Sequence, residues 1–144
     1  MTAAETGTDI DIDAANRTIL VVEDSPTERR IVTAFLKTQG YRVLTAADGE
    51  QALDLASREH PDLVVLDVLL PKKNGFEVCR RLKTDPLTQT IKVLILSAKN
   101  QSSDRFWGMR QGADRYLGKP WGEEELLSEV TELLGDPRRP LMAY

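Results

Sequence analysis

The sequence predicts an α/β protein, with five strands alternating with five helices in a doubly wound parallel sheet. Three observations carry that prediction. Short, almost wholly apolar runs such as "DLVVLD" (62–67) and "KVLILS" (92–97) fit strands covered on both faces. Segments with helix start and stop signals separate those runs. The runs also end in polar or charged residues, as Asp24, Asp67, Ser97 and Lys119 illustrate. Such βα alternation implies right-handed crossovers that place helices on both faces of the sheet.

Each element follows in order. "TILVVED" (18–24) reads as a buried strand ending in acids. "SPTERRIVTAFLKTQG" (25–40) reads as a helix: Ser25 caps, Pro26 suits the first position, Glu28 completes a capping box and Gly40 stops it. Ile31, Ala34, Phe35 and Thr38 fall on one face of this helix, with Val32 and Leu36 beside it, giving an amphipathic stripe. "YRVLTA" (41–46) is a strand, and "DGEQALDLASREH" (48–60) a helix capped by Asp48. Strand 62–67 precedes a helix at 74–85, and strand 92–97 precedes one at 102–112 that Gly108 weakens. "DRYLGK" (114–119) is a short strand, and "GEEELLSEVTELLG" (122–135) the last helix. Residues 1–16, small, polar and acidic, are expected to form a disordered tail, and 136–144 a short C-terminal tail, leaving one domain over 17–135.

Composition narrows the function. The chain has 144 residues with a single cysteine, Cys79, and a single histidine, His60. A disulfide framework and a cysteine metal cluster are thereby excluded, and the single His60 argues against zinc catalysis or a Ser-His-Asp triad. Cys79 reads as a small buried apolar residue, and His60 as a helix-end residue. The formal charge is −4, and Glu5, Asp9, Asp11 and Asp13 account for all of it. The neutral remainder offers no basic footprint for nucleic acid. No apolar run approaches the ~20 residues of a membrane span, and no secretory pattern opens the chain, so a cytoplasmic location is expected.

Ligands of doubly wound sheets bind outside the carboxyl ends of the strands. With strand order 2-1-3-4-5, Glu23, Asp24, Asp67, Ser97 and Lys119 lie along one edge. Clustered carboxylates repel, and a hard divalent cation with oxygen ligands relieves that repulsion. A metal-supported carboxylate can act as an oxygen nucleophile towards phosphorus, forming an aspartyl phosphate. The Lys119 ammonium and the Ser97 hydroxyl can neutralise phosphoryl oxygens. Asp67, at the end of the central strand and before the loop "VLLPKKNG", is the candidate acceptor. Individually these residues also read as caps of turns and helices. Their joint placement points to metal-assisted phosphoryl transfer onto a carboxylate.

Four motifs, "VVEDS" (21–25), "VVLDVLLPKKNG" (64–75), "LILSAK" (94–99) and "YLGKP" (116–120), together resemble the receiver domain of bacterial two-component response regulators. That family has a flavodoxin-like (βα)5 fold. The resemblance implies that Asp67 is the phosphoacceptor and that Mg2+ (or Mn2+) is held by Asp24, Asp67 and the Leu69 backbone carbonyl, with Glu23 acting through water. It implies further that Ser97 and Lys119 bind the phosphoryl group, that Ser97 and Tyr116 form the switch, and that the Lys119-Pro120 peptide is cis. The implied partners are a histidine kinase of the chemotaxis type and a downstream protein target, met by the surface of the fourth helix, fifth strand and fifth helix. Trp107, Tyr116 and Trp121 are candidate interface residues there. The chain is not expected to be an enzyme beyond its own phosphorylation and dephosphorylation at Asp67. "VEDSPTE" and the stretch around residues 104–113 are similar to stand-alone receivers of pilus-driven twitching motility.

The same residues admit three other readings. A phosphatase of the haloacid-dehalogenase type would want a second acid two residues past the nucleophile, where Leu69 stands. A phosphorylation-independent adaptor would not need the five site residues. Flavin binding is opposed by acids in the turn after the first strand, where a cofactor phosphate would sit.

Overall fold

A computed structural model describes residues 16–135. The segments expected to be tails, 1–16 and 136–144, lie outside the described residues apart from Asn16. The elements are β1 (Thr18–Val22), α1 (Pro26–Thr38), β2 (Arg42–Ala46), α2 (Gly49–Glu59), β3 (Leu63–Leu66), α3 (Gly75–Thr84), β4 (Lys92–Ser97), α4 (Ser102–Arg110), β5 (Arg115–Gly118) and α5 (Glu123–Leu134). All strand pairs are parallel, in the order β2-β1-β3-β4-β5. This is the flavodoxin-like, doubly wound architecture.

Alternation along the strands divides the core in two, because successive side chains point to opposite faces. On one face Leu20, Val22, Val64, Leu66, Val93 and Ile95 meet Ala52 and Ala56 of α2 and Val78, Cys79 and Leu82 of α3. On the other, Ile19, Val21, Val65 and Leu94 meet Val32 and Leu36 of α1 and Leu126 and Val130 of α5. With both faces covered, β1, β3 and β4 are apolar almost throughout.

The helix signals act locally as read, with two differences in α1. Ser25, Asp48 and Asn74 each accept a backbone N–H from the first turn of α1, α2 and α3. Glu28, however, does not return to Ser25: the Ser25 N–H donates to Glu23 Oε2 at 3.1 Å, and the Glu28 carboxylate reaches Lys119. A buried carboxylate already stands where the capping box would close, so Glu28 is free to pair elsewhere. The stripe is also displaced. Val32 and Leu36 are buried, whereas Ala34 and Thr38 are exposed and Ile31 is 54% exposed. Adjacent apolar rows at 31 and 32 made both faces plausible, and the sheet takes the row through 32 and 36.

In α4, Phe106, Trp107 and Met109 are exposed while Gly108 is buried. A Cβ on Gly108 would lie 2.7 Å from Cε2 of Tyr116 and 3.0 Å from Cδ1 of Ile95. Gly108 therefore costs α4 helix propensity but lets the Tyr116 ring pack directly against the helix backbone.

Candidate functional site

The sheet register places the site. Asp67 continues β3, its N–H donating to the Val22 carbonyl at 3.1 Å, so Asp67 stands beside Glu23 just past the end of β1. Ser97 ends β4 opposite Gly118, and the Lys119 N–H donates to the Ser97 carbonyl at 3.0 Å. The Lys119-Pro120 peptide that follows is cis. Behind Asp67 the chain closes tightly on itself. The Gly75 N–H donates to the Val68 carbonyl at 2.8 Å, and a Cβ on Gly75 would lie 2.1 Å from the Asp67 carbonyl oxygen. Only a residue without a side chain lets α3 start so close to Asp67.

Within this frame Lys119 is the hub. Its Nζ donates to Glu23 Oε1 at 2.6 Å, Glu28 Oε1 at 2.8 Å and Asp67 Oδ2 at 3.2 Å. Burial works against the Lys119 ammonium. Its hydrogen bonds to Glu23 and Glu28 and the charge of Asp67 outweigh it and hold the group above the ordinary lysine value. Burial raises Glu23 above the usual carboxylate range, and neighbouring Asp67 adds to the rise, against the Lys119 and Ser25 hydrogen bonds. The other oxygen of Asp67, Oδ1, accepts the Leu69 N–H at 3.2 Å.

Glu23, Asp24 and Asp67 each offer a carboxylate oxygen within 4.8 Å of the others. Three hard oxygen donors, two on buried residues and one on exposed Asp24, fit a divalent cation that keeps part of its water shell. Neither imidazole nor thiolate is present in the cluster, which disfavours softer metals.

Ser97 is fully buried beside this group, and its Oγ accepts the Lys99 N–H at 3.1 Å, leaving its hydroxyl proton to be donated. Among the described residues no hydrogen bond joins Ser97 to Asp67. Tyr116 lies apart from the carboxylates, buried against α4. Its hydroxyl donates to the Lys99 carbonyl, the Arg105 guanidinium lies 5.5 Å from its ring centroid, and burial pushes the phenol up to about 12. Lys99 thus links the Ser97 hydroxyl to Tyr116 through its own N–H and carbonyl.

The two tryptophans occupy different flanks. Trp107 is exposed and lines a small cavity with Phe76 and Arg80 of α3, facing α3 and not α5. Trp121 packs on Phe35 of α1 with ring centroids 5.8 Å apart. It lines a groove of about 640 Å³ with Glu28, Ile31, Lys119 and Pro120.

Comparison with known proteins is decisive for the family. Residues 19–131 match the response regulator receiver domain. The chain belongs to the response regulator receiver family. This receiver is 45% identical to Protein PilH of Pseudomonas aeruginosa over 116 residues, which cover 81% of the chain and 96% of PilH. It is 42% identical to the alkaline phosphatase synthesis transcriptional regulatory protein PhoP of Bacillus subtilis, spanning 83% of this chain and 49% of that regulator. In structure it resembles chemotaxis protein CheY4 of Vibrio cholerae, with TM-score 0.78, 31% identity and coverage of 83% and 99% of the two chains. The receiver domain of sensor histidine kinase PA1611 from Pseudomonas aeruginosa is similar at TM-score 0.77 and 30% identity, covering 84% and 99%. That structure has a magnesium ion coordinated in its active site cleft. As a receiver, the protein is a phosphoreceiver signalling module of two-component systems, a class that works with histidine kinases and downstream targets. No helix among the described residues is long and apolar enough to cross a membrane.

Two residues near the site carried no role in the sequence reading: Glu28, taken as a cap, and Gly75. An available signal for Gly75 was a glycine directly after the capping Asn74, where a helix gains more from alanine.

Proposed function

We propose that this protein is a cytoplasmic response regulator whose receiver domain, folded over residues 17–135, takes a phosphoryl group from a histidine kinase onto Asp67. One observation carries the reading. The Asp67 carboxylate is hydrogen-bonded to a buried lysine inside a three-carboxylate cluster, an arrangement suited to positioning a phosphoryl group.

Asp24, Asp67 and the Leu69 carbonyl would hold Mg2+ (or Mn2+), with Glu23 acting through water. When bound, the cation neutralises carboxylate and phosphoryl charge. An Asp67 carboxylate oxygen forms the new bond to phosphorus as the bond from phosphorus to the kinase histidine nitrogen breaks, and that nitrogen keeps the electron pair. Lys119 turns one N–H to a phosphoryl oxygen, and Ser97 donates its hydroxyl proton to another. Leu69, two residues past Asp67, supplies no general acid, so the chemistry ends at the receiver's own phosphorylation and dephosphorylation.

The readout runs from Ser97 through Lys99 to Tyr116. Recruitment of the Ser97 hydroxyl moves the Lys99 backbone, the acceptor of the Tyr116 hydroxyl, and the surface of α4, β5 and α5 repacks. Tyr116, buried against α4, carries the change to this surface, and Trp107 on its α3 side and Trp121 on its α1 side are the flanking aromatic groups offered to partners. The similarity to PilH and the motif at residues 104–113 support a motility pathway fed by a chemotaxis-type kinase.

The test is phosphate uptake from a small phosphodonor with Mg2+, in wild type and in Asp67→Ala. Wild type is expected to incorporate phosphate, and EDTA or Asp24→Asn to suppress it strongly. Equal incorporation in wild type and Asp67→Ala would overturn the assignment.

A further inference from the structure

An ammonium group has three N–H donors, and in this protein all three of Lys119 are committed, to Glu23, Glu28 and Asp67. Two of these acceptors belong to the carboxylate cluster that fits a cation, whereas Glu28 stands outside it on α1. Its carboxylate forgoes the capping-box contact because Glu23 already serves the Ser25 N–H. The Glu28 side chain is 50% exposed, against 14% for Lys119.

A phosphoryl oxygen arriving at Asp67 needs one Lys119 N–H and must displace an existing acceptor. Glu28 is the acceptor that leaves most readily, since a half-exposed carboxylate recovers water when its partner turns away. Until it leaves, Glu28 also adds a fourth negative charge, beside Glu23, Asp24 and Asp67, facing an anionic donor. We propose that Glu28 is a positioning residue that holds Lys119 in the resting state and competes with the incoming phosphoryl group for it. Glu28 thereby sets the phosphodonor concentration needed for phosphorylation. This inference rests on the reading of Asp67 as phosphoacceptor.

Two variants separate contact from charge. Glu28→Gln keeps the length and removes the charge. Glu28→Asp keeps the charge and withdraws the carboxylate by one methylene. Phosphorylation by acetyl phosphate with Mg2+ is followed for both against donor concentration, with circular dichroism confirming the fold. Both variants are expected to lower the half-saturating donor concentration, Glu28→Gln by about threefold, the scale of a half-exposed ion pair. The maximal rate stays within twofold of wild type. An effect in Glu28→Gln alone would reduce the role to net charge and overturn the proposal. So would unchanged half-saturation in both variants, or a fall in maximal rate.

A second readout needs neither metal nor phosphodonor. In urea unfolding of metal-free protein, Glu28→Gln should lower the midpoint in wild type and leave it unchanged in Lys119→Met. Equal shifts in the two backgrounds would mean that the pair does not form, overturning the proposal. Wild type that takes up no phosphate would overturn the phosphoacceptor reading and this inference together. Labelled wild type with indistinguishable variants would overturn this inference alone.

Discussion

Replacing Gly108 by alanine sets two effects of known sign against each other. In an unobstructed helix interior, alanine is better than glycine by about 0.8–1 kcal/mol. Here the new Cβ would lie 2.7 Å and 2.8 Å from two carbons of the Tyr116 ring, well inside the ~3.5–4.0 Å optimum for carbon pairs. Relief requires the ring to swing away, breaking its hydrogen bond to the Lys99 carbonyl, or α4 to shift. Such overpacking costs about 1–3 kcal/mol, so the net change in wild type is a loss of roughly 0–2 kcal/mol. In a Tyr116→Ala background the ring is gone. Of the three nearest atoms Cδ1 of Ile95, at 3.0 Å, remains, and it must give by a few tenths of an ångström. There the same substitution should stabilise by up to ~1 kcal/mol. Urea unfolding of the four proteins measures the cycle, with a coupling of about 1–3 kcal/mol expected and opposite signs in the two backgrounds. At a slope of about 1–3 kcal/mol per molar, this coupling corresponds to a difference of roughly 0.3–3 M between the two midpoint shifts. If Gly108→Ala stabilised both backgrounds equally, the packing of Tyr116 against the α4 backbone would be refuted.

Other outcomes follow from the same geometry. Gly75→Ala would drive a Cβ to 2.1 Å from the Asp67 carbonyl oxygen and 2.6 Å from the Val68 Cα. Backbone atoms have little room to yield, so phosphate uptake should fall at least about tenfold, given that a 1 Å misplacement can cost ~10²-fold; uptake at the wild-type rate would contradict the close approach. Leu36→Ala, at a fully buried site, should cost about 2–5 kcal/mol, whereas Ile31→Ala should stay within about 0.5 kcal/mol; the reverse ranking in urea unfolding would restore the stripe first read from the sequence. Stability should fall as pH rises above about 9, because folded Cys79 and Tyr116 both hold their protons to about 12 and folded Lys119 holds its proton beyond the ordinary lysine range. In each case the native state binds more protons than the unfolded chain, so the slope against pH is negative. A urea midpoint equal at pH 8 and pH 10.5 would contradict these burials.

What the sequence disclosed and what it withheld divide along physical lines. Strand β4 was legible to the residue at 92–97, because a run covered on both faces is apolar throughout and needs no partner to be recognised. The strand-end groups were legible because strand order brings them together whatever the loops do. The buried face of α1 was not, since rows 31 and 32 are both apolar and only the docked sheet chooses between them. Glu28 was misassigned for a related reason: a local capping pattern cannot reveal that Glu23, itself part of the site, already occupies the cap. Gly75 and Gly108 escaped because a close approach between segments leaves no periodic trace. Trp107 and Trp121 were expected, from the family resemblance, to flank the surface of α4, β5 and α5, and which neighbour each packs on leaves no trace in the sequence. The structure turns one towards α3 and the other towards α1.

The division of the core by the sheet has a further consequence. Tyr116, Ile95 and Val78 belong to one face, and Leu36, Leu126 and the Phe35–Trp121 pair to the other. The sheet acts as a partition, with the proposed phosphoryl site at its rim in reach of both compartments. Substitutions that retune contacts in the Trp121 compartment should be independent of those that retune the Tyr116 compartment, except where they meet at Lys119 and Ser97. Specificity on the two sides can therefore drift separately, with the shared rim holding the chemistry constant.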